Sequence, residues 1–190
     1  MKYVLLIALL SLVSCQRAVV APTNPNDFTD LSGISHKPMY PVDAKAHVLI
    51  FTTTDCPIAN SYAPEISRIA SEYRVKGFRF FLVHVDPDVT AKVARRHALE
   101  YSLNLPVILD TKHRLVSAAG ASVTPEVAVV LPGSKIAYHG RIDNWYARLG
   151  KKRVIPTERD LRVALDAIIA DVPIGHARTE AIGCYIPILN

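Results

Sequence analysis

Three residues of this 190-residue chain carry a thiol, Cys15, Cys56 and Cys184, and their settings differ. Cys56 stands in Thr52-Thr53-Thr54-Asp55-Cys56-Pro57, behind the apolar run Val48-Leu49-Ile50-Phe51 and ahead of a helical pattern. A cysteine at a strand-to-helix junction meets the first free backbone N–H groups of the helix, and that positive end favours thiolate over thiol. Thiolate is the species that attacks a disulfide or is oxidised by peroxide. The position points to thiol redox chemistry, with a buried structural cysteine as the plain alternative. Asp55 acts in the opposite sense, because a carboxylate disfavours a neighbouring thiolate. Both reactions need a second thiol to finish the cycle. Cys184, in Gly183-Cys184-Tyr185-Ile186-Pro187, is the thiol available for that.

Cys15 belongs to a different context. Lys2 and the apolar run Val4 to Leu12 make a leader too short to span a bilayer, and Ser14 directly before Cys15 is similar to a bacterial lipobox. That similarity implies a signal peptide over residues 1–14, cleavage before Cys15, and lipid on its sulfur. An ordinary signal peptide or an uncleaved anchor is the alternative. Either one exports the chain to a compartment where disulfides persist, the cell envelope of a bacterium, facing the periplasm or the outer surface. The folded part then keeps two thiols, enough for one disulfide. Loss of the leader lowers the basic residues from 22 to 21 against 17 acidic ones, so the net charge falls from +5 to +4. The basic residues do not alternate with aromatics along any helix, which argues against a nucleic-acid partner. The seven histidines show no metal-ligand spacing. His84, at the end of an apolar run, is either a proton-transfer group or a strand histidine with a satisfied hydrogen bond. His139 is similar.

The elements that must position Cys56 follow from hydrophobic period. Residues 15–44 are rich in Pro, Asn, Ser and Thr and read as a tether and loose lead-in. Ala46 to Thr53 is a strand buried on both faces. Ile58, Tyr62, Ile66, Ile69 and Tyr73 recur at helical spacing up to Gly77, with a kink expected at Pro64. Phe78 to Val85 is a second buried strand, Thr90 to Tyr101 a helix, Pro106 to Leu109 a short strand and Lys112 to Ala119 a short helix. Pro132-Gly133-Ser134 joins Val127–Leu131 to Lys135–Arg141 as a hairpin. A basic loop runs from Arg141 to Arg153, and Thr157 is expected to cap a last helix, Glu158 to Ala170. The order predicts one α/β domain over residues 45–171, with a mixed central sheet and helices on both faces, followed by a tail, residues 172–190.

This arrangement resembles the thioredoxin-like fold, most closely exported redoxins of the thioredoxin-like and AhpC/TSA type. Four features carry the resemblance: Cys56-Pro57 at the strand-helix junction, Pro64 eight residues on, Val123-Thr124-Pro125-Glu126 before the hairpin, and Ile136 to Asp143 as the last strand. It implies a cis peptide at Thr124-Pro125, with the Thr124 backbone as a platform for a thiol partner beside Cys56. An ordinary trans Thr-Pro is the alternative. It also implies supporting roles for Thr53, Asp55 and Pro57. Three departures matter. Ala59 replaces the second cysteine of C-x-x-C, which removes the adjacent dithiol. Asn60 replaces the second cysteine that a copper carrier of the SCO type would need. Peroxiredoxins share Thr53, but the proline that they carry seven residues before the cysteine is Leu49 here, and their peroxide-holding arginine would fall near Pro125-Glu126. Arg141 or the basic loop would have to replace it.

The tail is long enough to bring Cys184 back. The last helix covers about 20 Å, and the 13 residues from Asp171 to Cys184 span up to about 43 Å when extended. The leading reading is a lipid-anchored thiol–disulfide oxidoreductase, with Cys56 as nucleophile, Cys184 as candidate resolving thiol and Thr124-Pro125 as platform. Its partner would be a protein thiol or disulfide, and it needs no metal or other cofactor. The alternatives are a peroxiredoxin-like peroxidase acting on peroxide, and a binding module with a structural Cys56–Cys184 disulfide.

Overall fold

The computed structural model describes residues 26–189. The leader, Cys15 and the first part of the tether lie outside the described residues. In chain order the elements are β1 (Phe28–Thr29), β2 (Ser35–His36), β3 (Ala46–Thr52), α1 (Pro57–Arg74), β4 (Phe78–His84), α2 (Ala91–Glu100), β5 (Val107–Leu109) and α3 (Arg114–Ala119). They continue with β6 (Val123–Thr124), β7 (Glu126–Leu131), β8 (Lys135–Gly140), β9 (Tyr146–Arg148), β10 (Lys151–Lys152), α4 (Asp160–Ile169) and β11 (Cys184–Tyr185). The central sheet has the order β5-β4-β3-β7-β8. Strands β5, β4 and β3 are parallel, and β7 and β8 are antiparallel. Helical crossovers produce the parallel half and the hairpin produces the antiparallel edge.

All seven residues of β3 are buried, because the sheet is covered on both faces. Successive side chains point to opposite sides. Val48 and Ile50 join Phe80, Leu82 and Val129 under α1 and α4, while Leu49 and Phe51 join Phe81, Val83 and Ala128 under α3. On α1 the residues of the helical period, Ile58, Tyr62, Ile66, Ile69 and Tyr73, are all buried, together with Ala59, Ala63 and Ala70. Tyr62 and Tyr73 are satisfied by Asp143 Oδ1 at 2.6 Å and Asp166 Oδ1 at 2.8 Å. Helix α1 runs through Pro64 as one element.

Three local expectations change. Residues 26–44 are not loose throughout, since β1 pairs with β2, and Leu31 N donates to Val107 O at 3.0 Å along the outer edge of β5. Phe28 and Met39 pack on the second core face, which anchors a segment whose short apolar stretches show no period. Thr157 does not cap α4; that helix starts at Asp160 behind Arg159, which makes no side-chain cap bond. Thr157 Oγ1 instead accepts from Asn144 Nδ2 at 2.8 Å, and Asn144 Oδ1 accepts from Thr157 N and Glu158 N. The acids near the start of α4 are taken by Arg141, which pairs with Asp160 at 2.7 Å and with Glu158. The basic loop is ordered as the β9–β10 hairpin.

Candidate functional site

Cys56 is the N-cap residue of α1, with Pro57 in the first turn. An extended backbone at Cys56 (φ −78°, ψ 107°) lets the side chain turn back over the helix start. Its sulfur accepts the Ala59 N–H at 3.4 Å, and its S–H donates to the Thr124 carbonyl at 3.0 Å. The Thr124–Pro125 peptide is cis. Thr124 and Pro125 thus stand beside Cys56, as the resemblance implies.

The loop before Cys56 is held from below. Thr53 is buried and its carbonyl accepts from Thr52 Oγ1 at 3.3 Å, whereas Asp55 and Pro57 face solvent. Thr54 N donates to Asp86 Oδ2 at 3.2 Å, and Asn60 Nδ2 donates to Thr54 O at 3.1 Å. Burial, with Asp55 nearby, pushes the Asp86 carboxyl up, while the Thr54 N–H pulls it down. Sequence reasoning missed both supports. In the sequence Asn60 marks only a missing cysteine, and Asp86, just past the second buried strand, carries no motif.

Asn60 Oδ1 continues to His97 Nε2 at 2.8 Å, and the His97 ring packs edge-on against His84 at 5.0 Å. His84 is fully buried, and among the described residues neither of its ring nitrogens has a hydrogen-bond partner. Burial, helped by His97, lowers its pKa to about 3. With neither ring nitrogen bonded among the described residues, His84 is not the strand histidine with a satisfied hydrogen bond. His139 lies elsewhere, 3.2 Å from Glu126 Oε1, and burial holds it below its ordinary range.

The place where a peroxiredoxin-like arginine would fall is filled by Glu126. Its carboxylate is buried and accepts from Ser122 N at 2.7 Å and Val123 N at 3.3 Å. Arg141 is bound to Asp160 and Glu158 at the start of α4. In the basic hairpin, Lys152 lies over the Trp145 ring and Arg153 donates to Asn144 O. Its Tyr146 meets Ser61 on α1 at 3.1 Å. Among the described residues no group of three or more His, Cys, Asp or Glu side chains is placed to hold a metal ion.

Cys184 is brought to Cys56. After α4 the tail runs beside β8, where His139 N donates to Ala177 O at 2.9 Å and Thr179 N to His139 O at 3.1 Å. Tyr138 OH and Thr179 Oγ1 are 2.6 Å apart, and Arg141 N donates to the same Oγ1. The chain then reaches β11, which pairs antiparallel with β6 so that Cys184 opposes Thr124. Both thiols are free. Burial, the contact with Cys56 and the charge of Asp55 push the Cys184 thiol up to about 12.

Comparison with curated proteins finds none that matches. Among solved structures, an uncharacterised conserved protein of Geobacillus kaustophilus superposes with a TM-score of 0.72 at 24% identity, covering 86% of this chain and 88% of its own. A hypothetical protein of Sinorhizobium meliloti gives 0.71 at 23% identity, with 84% and 88% covered. A secreted disulfide oxidoreductase of Mycobacterium tuberculosis, homologous to DsbE of Escherichia coli, gives 0.51 at 18% identity, with 77% and 95% covered. At these identities the likeness carries the fold, which is thioredoxin-like. The family model of the redoxins matches residues 29–144, a span that holds Cys56, Thr124 and Pro125 and leaves out Cys184. With its cysteine at the helix start and its cis-proline loop inside that span, the chain belongs to the redoxin family.

Proposed function

We propose that this chain is an exported, lipid-anchored thiol–disulfide oxidoreductase in which Cys56 is the nucleophile and Cys184 the resolving thiol. The observation that carries the reading is the return of the tail, which sets Cys184 opposite Thr124 and against Cys56. The Ala59 N–H aimed at the Cys56 sulfur supports negative charge there when the thiolate attacks. The secreted disulfide oxidoreductase that shares the fold performs chemistry of the same class.

In the reducing direction, Cys56 thiolate attacks a partner disulfide. One sulfur–sulfur bond forms, the partner's bond breaks, and the leaving thiolate takes up a proton. Two of the influences that hold Cys184 protonated come from Cys56 itself, and they end once Cys56 is in a mixed disulfide. Cys184 then loses its proton, attacks the Cys56 sulfur and releases the second partner thiol. The partner has gained two electrons, and the Cys56–Cys184 disulfide is reset by an external dithiol. Run backward, the same steps oxidise a partner dithiol. Thr53, Asp55, Pro57, Thr124 and Pro125 shape the loop and the platform.

The test is disulfide exchange with a peptide disulfide, followed by mass spectrometry. Cys56→Ser should drop the rate to background, and Cys184→Ser should accumulate a mixed disulfide on Cys56. An unchanged rate in Cys56→Ser would sink the reading, and Cys56-dependent peroxide consumption in place of exchange would replace it with the peroxidase. The anchor is tested separately. Cys15→Ser should move the protein from the membrane fraction to the soluble part of the envelope, and unchanged fractionation would refute lipid on Cys15.

A further inference from the structure

The sulfur of Cys56 is buried, with 1% of the residue exposed, so a polypeptide disulfide cannot touch it until something moves. Cys184 of the tail packs against the buried cluster that holds Cys56. Residues Cys184 and Tyr185 pair antiparallel with Thr124 and Val123, and Ile186 N donates to Ser122 O at 2.9 Å. Strand β6 is two residues long, so this pairing takes up the backbone edge next to Cys56. Any other extended chain that offers a sulfur to Cys56 needs the same edge.

Residue 183 explains how close the fit is. A Cβ built on Gly183 would lie 2.1 Å from Thr124 O and 3.2 Å from Pro125 N, a collision with backbone that cannot yield cheaply. Glycine is required there by close approach. On the other side of the cysteine the demand disappears, because Tyr185 is 82% exposed. The groove therefore reads backbone, a cysteine, and the lack of a side chain just before it.

We infer that Gly183–Ile186 is a built-in occupant of the platform at which Cys56 meets an extended, cysteine-bearing polypeptide, and that such a partner enters only when the tail leaves. The same groove selects partners with glycine immediately before the reacting cysteine. This rests on the oxidoreductase reading and adds to it the partner class and the device that controls access. The segment lies beyond the span matched by the redoxin family model, residues 29–144.

The experiment follows one exchange step in the full-length chain. An unstructured peptide with glycine before its single cysteine is supplied as the mixed disulfide with nitrothiobenzoate. Cys56 thiolate attacks the peptide sulfur, the new sulfur–sulfur bond forms, and nitrothiobenzoate leaves and is counted by absorbance. The tail-seated form is Cys184→Ser. The tail-released forms add either Gly183→Val, which drives a side chain into Thr124 O, or Ile186→Pro, which removes the N–H bonded to Ser122 O. Release should raise peptide trapping at least about tenfold, and a peptide with valine before its cysteine should react about tenfold more slowly than the glycine peptide. Hydrogen exchange at the amides of 184–186 reports release independently of reactivity. Equal trapping in seated and released forms, once exchange shows the tail free, would overturn the access control. Equal trapping of the glycine and valine peptides would overturn the selection. Trapping needs no turnover, so failure of the wild-type chain in the catalytic assay condemns the oxidoreductase reading and leaves these outcomes legible.

Discussion

The two thiols differ in environment. Cys56 caps a helix and touches the Thr124 carbonyl, while Cys184 sits half-buried on an added strand with its proton held by burial, by Cys56 and by Asp55. This has a consequence for pH. Folding keeps a proton on Cys184 up to about 12, whereas an unfolded chain releases it near the ordinary 9.0. Between those values the folded chain binds more protons than the unfolded one, so stability falls as pH rises. Wild type should lose denaturant resistance relative to Cys184→Ser across that window, and parallel midpoints would contradict it. Glu126 belongs to the same set of particulars. A charged residue after Pro125 says nothing by itself, and only the turn that points the Ser122 and Val123 amides at its carboxylate makes it a buried acid in place of a peroxide-holding arginine.

Strands and helices were readable where their period is strong. Strand β3, helix α1 and the β7–β8 hairpin lie where an unbroken apolar run, helical spacing and Pro132-Gly133-Ser134 put them. The start of α4 was misread because Thr157 offers the right chemistry for a cap, yet Asn144, thirteen residues earlier, has better use for its hydroxyl. The contact between β4 and α2 carries an acid-sensitive joint, the buried His84 against His97. His84 stays neutral down to about 3 while the unfolded chain protonates near 6.5, so the stability that it allows is complete above 6.5 and is lost as pH falls toward 3. His84→Leu removes a buried imidazole with no bonded partner. It should flatten the acid limb of a denaturant-midpoint profile, and an equally steep limb would show that the joint lies elsewhere.

Across the molecule, the tail is joined at two places, residues 177–179 to β8 of the central sheet and residues 184–186 to β6 and Ser122. The first join depends on Gly140, where φ is +144° and an added Cβ would lie 2.2 Å from Thr179 O. Gly140→Ala should loosen the upstream join. Cleavage by trypsin after Arg178 and alkylation of Cys56 should both rise by about tenfold, in proportion to the opened fraction. Unchanged rates would mean that the strap is held by β6 alone.

From sequence the strand–Cys56–helix junction, the Thr124-Pro125 loop, the α/β order and a tail long enough to return were all legible. Each of these is local, set by side-chain period, by proline, or by chain length. The path of the tail was not legible, nor was the pairing of Arg141 with the acids at the start of α4 or the use of Asn60 and Asp86 as props for the loop before Cys56. Those depend on which groups meet across many residues. The 128-residue separation of Cys56 and Cys184 is closed by backbone pairing on β6 and β8 and by a glycine small enough to pass Thr124. Close approach of two backbones leaves no periodic mark in a sequence, so the nearness of the two free thiols became visible only in the folded chain.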